Sequence, residues 1–200
     1  MPTRRTLLAA LPAPVLAPTL ALAGLLRAAP AQAAAGPVVT LRGVDYLHRW
    51  SAVAQHEFTP AEQADLQRWR DMVTVNVHRG VADGEQLAEL ANGVLGNYQR
   101  HGRVLRTASL PRTAQRPAEH FIAAALSAPG VVESAFARCV LADGVGYAIV
   151  ASHRAYGEQA GAELAAWLRA QGTAHEQALM GLQRWPTAVE LARLPVSRRG

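Results

Sequence analysis

Residues 137–153 read ARCVLADGVGYAIVASH. Two apolar runs, Ala137 to Ala142 and Val145 to His153, flank Asp143-Gly144, a pair that tolerates positive φ at both centres of a two-residue hairpin turn. The stretch predicts two adjacent antiparallel strands and makes a sheet the organising element. Upstream, Val73, Val75 and Val77 alternate with Thr74, Asn76 and His78. This period of two predicts a strand over Met72 to His78 with one apolar and one polar face. The polar face is either solvated or part of a site.

Further strands are expected at Val38 to Trp50, which opens the sheet, and at Arg103 to Leu110. Ala118 to Ser127 is ambiguous: Pro117 and Glu119 favour a helix start, while Phe121-Ile122 and the short length before Pro129-Gly130 allow a strand, and it is assigned as a strand. Helix starts are marked by capping residues. Thr59-Pro60-Ala61-Glu62 predicts a helix over about 60–70. Asp83-Gly84-Glu85-Gln86 opens a longer one whose Leu87, Leu90, Ala91, Val94, Leu95 and Tyr98 recur at helical spacing until Gly102. With Arg103 to Leu110 behind it, this helix gives a βαβ-like unit. Gly157 to Gln171 predicts another helix, stopped by Gly172, and Thr173-Ala174-His175-Glu176 caps the next. Thr187-Ala188-Val189-Glu190 caps a last short one before Pro195. The sum is an α+β domain: a mostly antiparallel sheet of about five to seven strands, with a long middle helix and a helical C-terminus packed on it.

The chain has 200 residues, half of them hydrophobic, a formal charge of +5 and a charged fraction of 18%. That charge content is too low for a disordered chain. All 20 basic residues are arginine. Residues 1–35 hold Arg4, Arg5 and Arg27 and no acid, so without them 17 basic residues face 15 acidic ones and the charge falls to +2. Basicity concentrated outside the folded part gives no footing to nucleic-acid binding. The single Cys139 excludes an internal disulfide and every multi-cysteine zinc pattern.

The apolar stretch from Leu7 to Leu26 follows the two arginines and precedes Ala31-Gln32-Ala33. A basic start, an apolar middle and an Ala-x-Ala end are the parts of a cleavable signal peptide. The alternative, a membrane-spanning anchor, is opposed by Pro12, Pro14 and Pro18, each of which removes a helical hydrogen bond. Thr3-Arg4-Arg5-Thr6-Leu7-Leu8 resembles the twin-arginine export signal. That resemblance implies transient contact with the Tat export machinery and export of the folded protein to the periplasm. Residues 1–33 are therefore expected to be a removable signal and 34–200 a single secreted domain without a stable membrane span. The order of elements in that domain resembles exported α/β/α sandwich proteins of the PsbP kind, a fold-level likeness that transfers no function.

The most pointed local stretch is Ser152-His153-Arg154-Ala155-Tyr156-Gly157, at the exit of a strand. As catalytic candidates, His153 supplies a proton and Arg154 and Tyr156 hold an anion; the plainer alternative pairs Arg154 with Glu158 and packs Tyr156 under a helix. Arg154 and Tyr156, with His48 and Trp50 from the aromatic segment Asp45 to Trp50, are ligand-binding candidates for a small anionic molecule. Seven histidines show no metal-ligand spacing. A metal site would need dispersed groups, with His78 and His153 converging at strand ends and His56 or Glu57 completing the set. Cys139 alternates with Ala137 and Leu141, which predicts a buried, inert thiol. With no Gly-x-Ser-x-Gly elbow and no Gly-rich phosphate loop, the expected function is a non-catalytic binding or accessory protein, with a small molecule or an envelope protein as partner and no cofactor implied. The competing expectation is a metal-binding protein or hydrolase-type enzyme built from the same His, Glu, Arg and Tyr groups.

Overall fold

A computed structural model describes residues 36–197; the expected signal segment, residues 1–33, lies outside them. The strands are β1 (Val38–Leu41), β2 (Val44–Ser51), β3 (Gln55–Pro60), β4 (Asp71–His78), β5 (Gly102–Leu110), β6 (Glu119–Ala128), β7 (Val131–Ala142) and β8 (Val145–Tyr156). They form one sheet in the order β1-β2-β3-β4-β8-β7-β6-β5, antiparallel throughout. Two four-stranded meanders thus meet where β4 pairs with β8.

The fold is α+β as expected, but the sheet has eight strands, more than the five to seven predicted. Val38 to Trp50 is a hairpin rather than one strand. It turns at Arg42-Gly43, with φ of 53° and 74°, as the β7–β8 hairpin turns at Asp143-Gly144, with φ of 52° and 71°. Both have the positive φ pair of a type I′ turn, whose twist matches the flanking strands. Pro129-Gly130 joins β6 to β7, with Gly130 at φ 76°, as a type II turn demands.

The helix expected over 60–70 does not form. Thr59 does act as a cap, but its hydroxyl donates to the Gln63 carbonyl at 2.5 Å in a turn. The Gln63 side-chain oxygen then accepts the backbone N–H groups of Arg70 and Asp71, both at 2.7 Å. The segment lacks a helical apolar stripe to bury, so side-chain staples fix it as a loop.

Helix α1 (Gly84–His101) begins as predicted, with Asp83 accepting from the Gln86 N–H at 2.9 Å. It ends at Gly102, where a Cβ would lie 2.2 Å from the Ala125 carbonyl oxygen; only glycine lets β5 start so close to β6. The βαβ-like unit is not a local one: β4 and β5 are separated by β8, β7 and β6. Helix α2 (Ala160–Met180) runs on through Gly172, which is buried and where a Cβ would lie 4.0 Å from the Phe136 ring, an ordinary contact. Gly172 is a buried mid-helix residue facing Phe136, not a stop signal. Beyond α2 the helical C-terminus is shorter than expected, reduced to α3 (Ala188–Leu191), which carries a complete Thr187/Glu190 capping box.

Alternation assigns the two sheet faces to different helices. Val73, Val75, Val77, Phe136 and Ile149 pack with Leu179 and Leu182 under α2 and its continuation. Ile122, Ala124, Ala135, Ala137, Cys139 and Ala148 pack with Leu87, Ala91 and Tyr98 of α1 on the opposite face. Arg138 points to the α2 side and is buried. Its Nε donates to Glu119 at 2.7 Å and its Nη1 to the Leu179 and Leu182 carbonyls at 3.1 and 2.6 Å. Carbonyls at and just beyond the end of α2 thereby gain a cationic donor.

Candidate functional site

The short side chains of β6 and β7 let α1 settle on β5, β6 and β7. On the same face, β2, β3, β4 and the Ser152–Tyr156 end of β8 carry no helix. The outward positions change character there, from alanine, isoleucine and cysteine to Trp50, Gln55, Glu57, Thr74, Ser152 and Arg154. These residues, with Glu133 and with Leu66, Gln67 and Trp69 from the loop before β4, line a cavity of about 480 Å³, within the usual range for small-molecule sites.

Arg154 is the centre of this cavity. Its Nε donates to Glu133 at 2.7 Å, across the register pair that joins β8 to β7. Its guanidinium carbon lies 3.9 Å from the centre of the Trp69 ring, a stacked cation–π arrangement. Tyr156, two residues on and therefore on the same face, donates its hydroxyl to the Trp69 carbonyl at 2.6 Å. The Arg154 backbone N–H donates to the Arg70 carbonyl at 2.7 Å. Loop and strand end are thus bound together by four residues, which preorganises the guanidinium plane. Opposite, Glu57 accepts from Gln55 at 2.8 Å. Among the described residues Arg154 makes hydrogen bonds only through Nε and its backbone, so its terminal amino groups remain available to a bound acceptor.

Alternation along β3 and β8, with a β-bulge between His48 and Trp50 in β2, gathers Arg154, Tyr156, Trp50 and Glu57 on one face and sends His153, His56 and His48 to the other. His153 stacks flat on Trp167, with ring centres 4.2 Å apart and planes 3° apart, and its Nδ1 lies 2.8 Å from Asp71. Burial alone would raise the Asp71 carboxyl, but hydrogen bonds from His153 and Gln63 hold it below its ordinary value. An ionised carboxylate only accepts, so His153 Nδ1 carries the proton. His153 therefore does not join Arg154 and Tyr156 in one constellation.

His48 and His56 also lie on the α2 face, across the sheet from Trp50 and Glu57. They meet at Ser51, whose hydroxyl is 2.7 Å from His48 Nε2 and 2.8 Å from His56 Nδ1. One hydroxyl proton serves one acceptor, so the other histidine must donate. Burial lowers the pKa of both rings. Ser51 is only 1% exposed, which makes this a buried structural network. His78 pairs with Gly146, at the opposite end of β4 from the Asp71–His153 pair. Seven residues of strand separate them, about 23 Å at ~3.3 Å per residue, so His78 and His153 do not converge. Among the described residues no group of three His, Cys, Asp or Glu side chains is placed to hold a metal. Cys139 is fully buried, and desolvation pushes its thiol up to about 12.

The sequence does not single out Glu133, and it offers Trp69 as a possible groove aromatic but favours a helix face for it. Trp69 sits in a segment whose capping signs suggested a helix. Glu133 is brought to Arg154 by a strand register that no local pattern encodes. The chain matches no protein-family model and no curated protein sequence.

Proposed function

We propose that the protein is exported to the periplasm by the twin-arginine route and works there as a non-catalytic binding or accessory protein, holding a small polar molecule on the open half of the sheet. The observation that carries this reading is the Arg154 cluster: a guanidinium fixed by Glu133 and Trp69 whose terminal amino groups have no protein partner among the described residues. Two donors held in one plane suit a carboxylate, phosphate or amide-like acceptor. Glu133 offsets the charge of Arg154 and Glu57 adds a second carboxylate, so recognition rests on hydrogen-bond geometry and on the Trp50 wall more than on net charge. Binding without catalysis is favoured because the lining residues include no His or Cys, and the Thr74 and Ser152 hydroxyls have no base hydrogen-bonded to them. A nucleophile there would lack the adjacent base it needs.

The four tryptophans provide the test, since Trp50 and Trp69 line the cavity while Trp167 and Trp185 lie on the other face. Small-molecule fractions from the envelope of the producing cell are added while the indole N–H signals are followed by NMR. A fraction that moves Trp50 and Trp69, and fails to do so in Arg154→Gln, supports the assignment. Fractions that leave both signals still, or that act equally on Arg154→Gln, contradict it. For export, Arg4→Lys with Arg5→Lys leaves precursor in the cytoplasm; undiminished export rejects the twin-arginine route.

A further inference from the structure

A second cleft, of about 310 Å³, opens on the α2 face between the β1–β2 hairpin, the loop after β3 and the middle of α2. Tyr46 and His175 form its inner wall. Each is only 5% exposed, and the His175 Nδ1 atom is buried without a hydrogen-bond partner among the described residues. Buried polar groups are almost always satisfied, so an unpartnered imidazole nitrogen on this cleft points to a missing partner. Asp71 and Glu62 add two carboxylates to the lining. The cation there, Arg42, donates to Gln171 at 2.8 Å on the rim. Burial first, then Arg42, pulls His175 down to about 4. Its neutral ring therefore offers an acceptor nitrogen as well as a donor.

We infer that this cleft binds a small primary ammonium compound, whose three N–H groups are taken by Asp71, Glu62 and Tyr46 beside the His175 ring. An ammonium group has three donors and no acceptor, which complements a wall rich in acceptors and negative charge. An anion would face both carboxylates. A bare metal ion is disfavoured, because the acidic and histidine groups do not converge in the way a metal requires. The size limits the occupant to a few heavy atoms, since about 300 Å³ is the lower end for small-molecule pockets.

The test titrates the full chain with propylammonium chloride and, separately, with sodium propionate of matched size, following the His175 ring and the Trp167 indole by NMR. Propylammonium should give a saturable shift in roughly the millimolar range, as expected for so few atoms, and propionate none. Tetramethylammonium, which lacks N–H donors, should bind about tenfold more weakly or not at all. Asp71→Asn should weaken propylammonium about tenfold. Because Asp71 also holds His153, the exposed Glu62→Gln provides a variant that keeps the fold; it should weaken binding about threefold with the unfolding midpoint unchanged. No saturable shift with propylammonium would overturn the inference and leave water as the partner of His175. Equal binding of propionate, or affinity unchanged in both variants, would overturn it as well.

Discussion

One face of the sheet contains two unlike halves. Under α1, β6 and β7 present Ile122, Ala124, Ala137 and Cys139, short or apolar side chains that let a helix approach and exclude water. A few strands away, β4 and β8 present Thr74, Ser152 and Arg154 in the same alternating register, and no helix covers them. Strand geometry is common to both, so the side chains alone decide whether a helix settles there. The half that lacks a helix satisfies its polar groups by itself, with water or with a ligand, and the Arg154–Glu133–Trp69 cluster is the part that the protein itself supplies.

The sharpest way to break this contrast is to make the same substitution in both halves. Ala137→Lys buries an unpaired charge beneath α1 and should cost about 4 kcal/mol or more. Thr74→Lys, opposite Glu57 in the β3–β4 register, should change stability by about 0.5 kcal/mol or less. Urea unfolding of the two variants checks the pair, and similar losses would mean that both halves are equally covered. Next in size, Leu87→Ala removes a fully buried α1 contact and should cost about 3 kcal/mol, leaving ligand affinity at the open half unchanged.

Acid separates the regions differently. His48, His56 and His175 all lie on the α2 face with lowered pKa values, and His175 is drawn from 6.5 to about 4. The unfolded chain therefore binds more protons than the folded one in this window. Stability is full above about pH 6.5 and falls as the pH drops towards 4, by on the order of 3 kcal/mol for His175 alone. The Arg154 cavity has no histidine in its lining, so its binding should not follow that titration. Unfolding midpoints between pH 7 and 4 test this, and His175→Phe should flatten part of the decline. A midpoint that stays level would show that the buried rings are paired in the folded state. Arg154→Gln should cost a more modest amount, about 1–2 kcal/mol, through the partly buried Glu133, while lowering ligand affinity at least about tenfold.

Much of the fold can be read locally. Val73, Val75 and Val77 announce a half-buried strand, Asp143-Gly144 a hairpin, and Asp83 a helix start, because each depends on neighbours in sequence. Arg42-Gly43 hid a hairpin because arginine at positive φ is unusual. Thr59-Pro60 mimicked a helix start because its cap is real but closes a loop. Gly172 looked like a terminator because its packing against Phe136 is a tertiary fact. At the site, Arg154 and Tyr156 stood out in sequence, and their separation from His153 follows from alternation alone. Their partners did not stand out. Glu133 arrives through strand register and Trp69 through a loop stapled by Gln63, both contacts between distant parts of the chain.

Native mass spectrometry of the protein recovered from the envelope of the cell that makes it shows whether the open half of the sheet holds a ligand at Arg154. One bound small molecule per chain is expected on the wild-type protein, lost from Arg154→Gln and retained by Glu62→Gln in the other cleft. A wild-type protein recovered without any added mass, or an added mass that survives Arg154→Gln, would contradict that expectation.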